Sequence, residues 1–171
     1  ANPVAARAFH PPTWSFGPRN LTGIASDKDG RLWEVEMGPL GGDEVNLVKP
    51  GTNYGWPKAS NGSNYNGSDI PDHTPSDGFT PPKVFWNPSL APASMAYYNA
   101  SLFPRWKNSL FITGLSGMAV VRISLNGENA EKADHWNMGM RVRNVRVGPD
   151  GALWLLEDMG KGRMLKLTPK K

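Results

Sequence analysis

Two carboxylates close a turn of glycine and proline in the stretch Met37 to Pro57, MGPLGGDEVNLVKPGTNYGWP. Gly38-Pro39-Leu40-Gly41-Gly42 forbids a helix interior and a central strand, which leaves backbone carbonyls beside Asp43 and Glu44. Bare carbonyls next to fixed carboxylates are what a hard cation such as calcium needs. A solvated loop between strands is the plain alternative. Arg141 and Arg143, two apart in a strand-like run, project to one face. Paired guanidiniums there either grip a carboxylate-rich ligand through bidentate hydrogen bonds or stand solvated on a sheet. Asp158 follows the next strand and either orients such an arginine or caps a turn. Arg19 and Asn20 form a polar pair after an aromatic run, where a loop mouth is expected.

Other chemistries find little support. His10, His73 and His135 lie in proline-rich or polar stretches without partners at metal-ligand or triad spacing, and surface roles are expected for them. No glycine-rich phosphate cradle sits between a strand and a helix. Trp56 and Trp86 are candidates for lining a sugar cleft; the other tryptophans read as packing anchors.

The chain has 171 residues, 39% of them hydrophobic, with 19 glycines, 16 prolines, no cysteine and a formal net charge of +4. Thiolate metal sites and disulfides are excluded. No apolar run approaches the roughly 18 residues of a membrane span, and no N-terminal basic-then-apolar signal is present. The mild positive charge favours anionic ligands in general, and without a block of like charges it does not point to nucleic acid.

The elements that must position these residues are short strands. Leu21 to Met37 reads as a hairpin with its turn at Asp27-Lys28-Asp29-Gly30 and alternation through Arg31 to Glu36. Asp150-Gly151-Ala152-Leu153-Trp154 repeats Asp29-Gly30-Arg31-Leu32-Trp33, and Lys107 to Gly114 is a weaker copy carrying Leu110-Phe111. Further strands are expected at Trp14 to Asn20, Val45 to Val48, Lys83 to Trp86, Ser94 to Tyr98, Ala119 to Leu125 and Met140 to Val147. No amphipathic helix is evident. A recurring hairpin of this kind signals a repeat architecture, and four or so strands per unit fit propeller blades. The expected fold is all-β: a propeller of about three blades over residues 14–171, preceded by an arm at 1–13 and carrying a long loop insertion at 59–82. Propellers close with four to eight blades. Three blades therefore call either for a longer chain or for two copies completing a six-bladed ring as a homodimer.

The runs WSFGPRN, DGRLWEVEMGPLGGDEVNLVKPGTNYGWP, FPRWKNSLFITGLSG and MRVRNVRVGPDGALWLLED resemble the soluble PQQ-dependent aldose sugar dehydrogenases, the glucose/sorbosone dehydrogenase family. The resemblance runs in order through nearly the whole chain and covers the C-terminal half of that family's six-bladed propeller. It implies PQQ contacts at Arg19, Asn20, Tyr65, Arg141, Arg143 and Asp158. It implies that the Gly38 and Pro39 carbonyls hold the cofactor's calcium, and that Glu44 and Tyr54 hold a second, structural calcium. A tricarboxylate quinone wants arginines, and calcium polarises its carbonyl as a Lewis acid.

Several positions depart from the family pattern. Ser116 stands where a lysine is frequent, Leu40 where a basic residue follows Gly-Pro, Pro18 where a histidine precedes Arg-Asn, and Met37 where His or Gln is common. The histidine that acts as general base in the family belongs to the N-terminal half and has no counterpart here. The resemblance thus implies a half-site: oxidation of aldose sugars to lactones once completed, and inactivity alone. A non-catalytic binding or assembly module that forms a homodimeric ring is the alternative. Family resemblance also implies a periplasmic or secreted location.

Overall fold

The computed structural model describes residues 13–170. All of the expected N-terminal arm but Thr13, and with it His10, lies outside the described residues. Three antiparallel sheets follow one another along the chain. The first runs β1 (Leu21–Ser26), β2 (Leu32–Glu36), β4 (Asp43–Val48), β6 (Val84–Trp86), with a small pair β3 (Leu40–Gly41) and β5 (Gly62–Ser63) beside it. The second holds β7 (Pro92–Tyr98), β8 (Ser109–Gly114), β9 (Ala119–Asn126) and β10 (Asn129–Asn137); the third holds β11 (Val142–Val147), β12 (Leu153–Glu157) and β13 (Met164–Leu167). A 3-10 turn at Pro104–Trp106 is the one helical element among the described residues.

The repeated Leu-aromatic pair falls within the first residues of the second strand of each sheet: Leu32-Trp33 in β2, Leu110-Phe111 in β8, Leu153-Trp154 in β12. The aspartate turn explains the first copy. Buried Asp27 accepts the backbone N–H of Asp29 and Arg31 on one oxygen, and Arg31 Nε (2.7 Å) and Trp33 Nε1 (3.0 Å) on the other. A single carboxylate therefore closes the hairpin and anchors the tryptophan beneath it.

Strand alternation then splits the core into two layers. Trp33, Val35, Val45 and Leu47 pack toward Met95, Leu110, Ile112, Val121 and Ile123 between the first two sheets. Tyr98, Phe111 and Val120 face Val142, Val145, Leu153 and Leu155 between the second and third. β8 is buried along its whole length, so it supplies side chains to both layers. Burying each such side chain contributes about 1.5–3 kcal/mol.

The first strands of the three sheets stand side by side. A Cβ on Gly23 of β1 would lie 2.7 Å from the Met95 nitrogen of β7, and Val145 of β11 donates its N–H to Ser94 Oγ of β7. Their C-terminal ends also coincide. Tyr97 contacts the Lys28 backbone just past β1, and the Tyr98 hydroxyl donates to Gly151 O just past β11 (2.9 Å). Thus β1, β7 and β11 run in the same direction. Their N-terminal ends, preceded by Arg19-Asn20, Ala91 and Arg141, share the opposite end.

The structure corrects three sequence expectations. Trp14 to Asn20 is not a strand: Gly17 takes φ +84°, and only Phe16 bridges, to Asn53. Arg141 precedes β11, and the ladder shifts register between Val142 and Asn144, so the strict alternation expected across Arg141 and Arg143 is broken by a bulge. β10 and β13 were not expected, because outer strands such as NAEKADHWN carry little apolar alternation.

Candidate functional site

Arg19 enters β1 at the edge of the Gly38–Gly42 turn. Its backbone N–H donates to Glu36 Oε2, and its Nη1 donates to Met37 O (2.9 Å) and Gly38 O (3.0 Å). Its Nη2 lies 3.3 Å from Tyr65 Oη. The guanidinium stands 5.2 Å from the Trp56 ring centroid and 5.6 Å from that of Tyr65, within cation–π range. The Gly38 carbonyl, expected bare, is therefore already hydrogen-bonded to an arginine. The turn is close-packed as well: a Cβ on Gly38 would lie 2.2 Å from Gly41 O, and buried Asp43 ties the Gly38 N–H (2.9 Å) to Ser89 Oγ and the Ala91 N–H (2.8 Å each). Pro39 is buried in the turn and Asn20 is exposed.

At the same end, Asp158 follows β12, which is antiparallel to β11 and brings Val142 opposite Glu157. Asp158 Oδ2 accepts Arg141 Nε (3.0 Å), Arg141 Nη2 (2.8 Å) and Arg143 Nη2 (2.8 Å). The Arg141 hydrogen bonds, and then those of Arg143, hold the Asp158 carboxyl below the usual carboxylate range. One acid thus fixes two half-exposed guanidiniums. Ser116, in the β8–β9 turn, donates to Ser89 O (3.3 Å).

Between the Gly38–Gly42 turn and the loop beginning at Tyr54 lies an acidic face that sequence reasoning missed. Glu34 and Glu36 alternate with Trp33 and Val35 on β2, and stand directly opposite Asn46 and Glu44 of β4. All four polar residues are at most 4% exposed. Asn46 Nδ2 donates to Glu34 Oε1 (2.8 Å) and Glu44 Oε2 (3.2 Å), and Glu36 and Glu44 share a hydrogen bond. Burial pushes the Glu34 carboxyl up to about 9, with the Glu36 charge adding to it. Burial likewise raises Glu36, against the Arg19 N–H, and raises Glu44 together with the charge of Glu36. The sequence signal was Glu-x-Glu facing Glu-x-Asn across an antiparallel pair, which becomes visible only once the register is known.

His73 overturns its surface expectation. Its side chain is 5% exposed, with Nδ1 3.3 Å from Asp77 Oδ2 and Nε2 3.9 Å from Glu44 Oε1. The Phe79 and Thr74 backbone N–H groups hold the Asp77 carboxyl low. His73 fills the space that a side chain on Gly55 would need, 2.8 Å away. The Tyr54 hydroxyl is engaged at the other end of its ring, donating to Leu47 O (2.7 Å) and accepting the Lys49 N–H (2.8 Å). Trp56 lies under Arg19, whereas Trp86 belongs to the first core layer, with Lys132 5.1 Å over its ring, so the two do not line a common cleft.

The family profile of Glucose / Sorbosone dehydrogenase matches residues 1–166. The chain belongs to this family. It is 41% identical over 162 residues to the aldose sugar dehydrogenase YliI of Escherichia coli (strain K12), spanning 92% of this chain and 44% of that protein. The apo-form crystal structure of the soluble aldose sugar dehydrogenase from Escherichia coli superimposes with TM-score 0.89 at 39% identity, over 99% of this chain and 50% of that one. The PQQ-bound form of the Streptomyces coelicolor aldose sugar dehydrogenase does so with TM-score 0.72 at 32% identity, over 98% of this chain and 48% of that one. The chain spans about half the length of these glucose/sorbosone dehydrogenase relatives. Its three sheets are three blades of a β-propeller. Among the described residues no helix is long and apolar enough to cross a membrane.

Of the residues expected to act in this family, Arg19, Asn20, Gly38, Pro39, Glu44, Arg141, Arg143 and Asp158 all lie at the N-terminal end of β1 and β11, and Tyr65 joins them through Arg19. Tyr54 lies beneath that end, lining a small cavity with Glu36 and Glu44.

Proposed function

We propose that residues 14–171 act as the cofactor-gripping half of a PQQ- and calcium-dependent aldose sugar dehydrogenase, with 59–82 as its inserted loop. The observation that carries this is the placement of three arginines, Arg19, Arg141 and Arg143, at one end of the inner strands, two of them pre-oriented by Asp158. PQQ carries three carboxylates, and planar guanidinium forks suit them. Arg19, Asn20, Tyr65, Arg141 and Arg143 bind and orient the quinone, and Asp158 holds the arginines at their angle. Calcium would be held in two places, at the Gly38 and Pro39 carbonyls beside the quinone and, as a structural ion, at Glu44 and Tyr54, where the buried acidic face offers oxygen acceptors. Bound here, the quinone supplies the two-electron acceptor for oxidising an aldose to its lactone, and the cation polarises it. No histidine in this chain matches the family's general base, so turnover requires the other half of the site. Aldose sugar and the complementing half-propeller are the partners of this reading, with a periplasmic or secreted location by family membership.

Titrating the chain with PQQ, followed by absorbance, tests the proposal. Saturable binding weakened by Arg141→Ala is expected; no saturable binding in the presence of calcium overturns it. A second reading, a non-catalytic half-propeller that pairs with its own copy, draws on one observation. The third sheet has three strands, and β13 has no partner on its outer side among the described residues.

A further inference from the structure

Six of the seven methionines stand at one end of the blades. Met37 follows β2 and donates its N–H to Asn20 O (2.8 Å). Met118 closes the β8–β9 turn, and its carbonyl accepts the Met138 N–H (2.8 Å). Met138 and Met140 lie in the link from β10 to β11. Met159 lies in the β12–β13 turn, and Met164 begins β13 opposite Leu156. Strand direction puts all six at the end that carries Arg19, Arg141 and Arg143. The seventh, Met95, is in the core at 3% exposure. Core packing does not account for the gathering, because Met118, Met159 and Met164 are 43%, 57% and 65% exposed.

The second observation concerns what two of these sulfurs adjoin. Met140 precedes Arg141 and Met159 follows Asp158. The two segments are joined by the Asp158 N–H donating to Arg141 O (2.9 Å) and by the Arg141–Asp158 ion pair. Met140 Sδ also accepts Arg163 Nη2 (3.6 Å), while the same guanidinium holds the Glu157 carboxylate (2.7 and 2.9 Å). Two thioethers therefore flank the guanidinium clamp on adjoining stretches of backbone. A thioether is a weak hydrogen-bond acceptor, and oxidation turns it into a polar sulfoxide.

We propose that the exposed thioethers at this end, Met159 and Met164 first, are a reversible modification site for hydrogen peroxide, and that the sulfoxide at Met159 weakens the grip of Arg141 and Arg143 on a carboxylate ligand. The sulfur lone pair attacks one peroxide oxygen, so that an S–O bond forms as the O–O bond breaks. The proton of the transferred oxygen passes to the departing hydroxide, which leaves as water. Sulfur loses two electrons and the peroxide gains them. The new oxygen, one residue from Asp158, gives the guanidiniums an acceptor of their own in place of the ligand. Methionine sulfoxide reductases remove it again. The effect on the ligand rests on the proposed function above; the oxidation itself does not.

The test treats the full folded chain, without PQQ, with hydrogen peroxide and follows sulfoxide at each methionine by peptide mass spectrometry. Met159 and Met164 are expected to oxidise at least about tenfold faster than Met95, as their exposure dictates, and the reductases should reverse the change. Met95 oxidised as fast as Met159, or Met159 left as the thioether, overturns the proposal. PQQ titration of the treated chain then reads the grip. Several-fold weaker binding is expected, restored by the reductases and absent from Met159→Leu, which keeps the side chain apolar and of similar volume. Unchanged affinity overturns the coupling. Where peroxide unfolds the chain, Met159→Gln, polar at that position without oxidation, is read instead, and wild-type affinity in it overturns the coupling equally. An untreated chain that binds no PQQ removes the proposed function and leaves the sulfoxide map to decide the oxidation site; PQQ binding with an inert Met159 does the reverse.

Discussion

Arg19 and Tyr65, 46 residues apart in sequence, meet with Nη2 3.3 Å from the phenol oxygen while the other guanidinium nitrogen is fixed to two backbone carbonyls. The arginine thus ties the entry of β1 to the glycine turn and to the inserted loop at once. A lysine keeps the charge but cannot fork to both carbonyls and the tyrosine. Arg19→Lys is expected to lower PQQ affinity about tenfold or more and to cost about 1–2 kcal/mol of stability. Equilibrium titration and denaturant melts read the two effects, and wild-type affinity in the variant would sink the role given to Arg19.

Asp158 is partly exposed, so its ion pairs with Arg141 and Arg143 contribute little to folding. Asp158→Asn is expected to leave stability within about 1 kcal/mol while weakening PQQ binding several-fold, because the two guanidiniums lose their common anchor. Tighter binding in the variant would instead show that Asp158 competes with the ligand.

The buried acidic face sets a pH dependence whose sign is opposite to that of ordinary acid denaturation. Glu34 is raised from 4.5 to about 9, and Glu36 and Glu44 are raised too. The folded state then binds more protons than the unfolded one. That stability is complete below 4.5 and is lost as pH rises through the folded values. Without calcium, Tm should fall between pH 5 and 9; with calcium, the stabilisation by the ion should grow over the same range. Glu34→Gln should flatten the metal-free slope. A calcium-free Tm that climbs steadily from pH 5 to 9 would refute this account.

Tyr98 links the second and third blades through one hydroxyl, donating to Gly151 O and accepting the Phe103 N–H (3.0 Å). Tyr98→Phe strands both groups beside a packed aromatic cluster. A loss of about 1–3 kcal/mol is expected by urea melt, with calcium affinity unchanged. A loss below about 0.5 kcal/mol would mean water replaces the hydroxyl freely.

The side of β13 left unpaired among the described residues, next to an apolar groove lined by Trp106, Trp136, Met138 and Leu167, favours self-association when no complementing half is supplied. Light scattering on a size-exclusion peak should show a concentration-dependent species above the monomer mass. A strictly monomeric, well-folded chain at high concentration would count against it.

Legibility in the sequence followed the physics of each feature. The Asp-Gly-x-Leu-aromatic repeat was readable because turn chemistry and strand alternation are local; it located the second strand of the first and third blades, and the weaker Leu110-Phe111 copy located that of the second. Arg141, Arg143 and Asp158 could be paired in advance because they flank a single hairpin. Glu34 and Glu36 were not legible as buried: alternating WEVE reads equally well as a solvated polar face, and only the covering 54–73 segment removes the water. His73 was missed for the same reason. Its neighbours in sequence are polar, and its burial comes from Gly55 and Glu44, residues far away along the chain. β10 stayed hidden because an outer strand needs only backbone pairing, not an apolar side.

Because β1, β7 and β11 run the same way, the blades have a working end and an idle one. The idle end carries the tips after β1 and between β9 and β10, where Gly30 and Gly127 have open space around them and Lys49 pairs with Glu128 across two exposed side chains. These tips are ports for grafting. A fluorescent or affinity module spliced at Gly127 would sit at the opposite end of the blades from Arg19, Arg141 and Arg143, leaving the chain free to report on its own ligands.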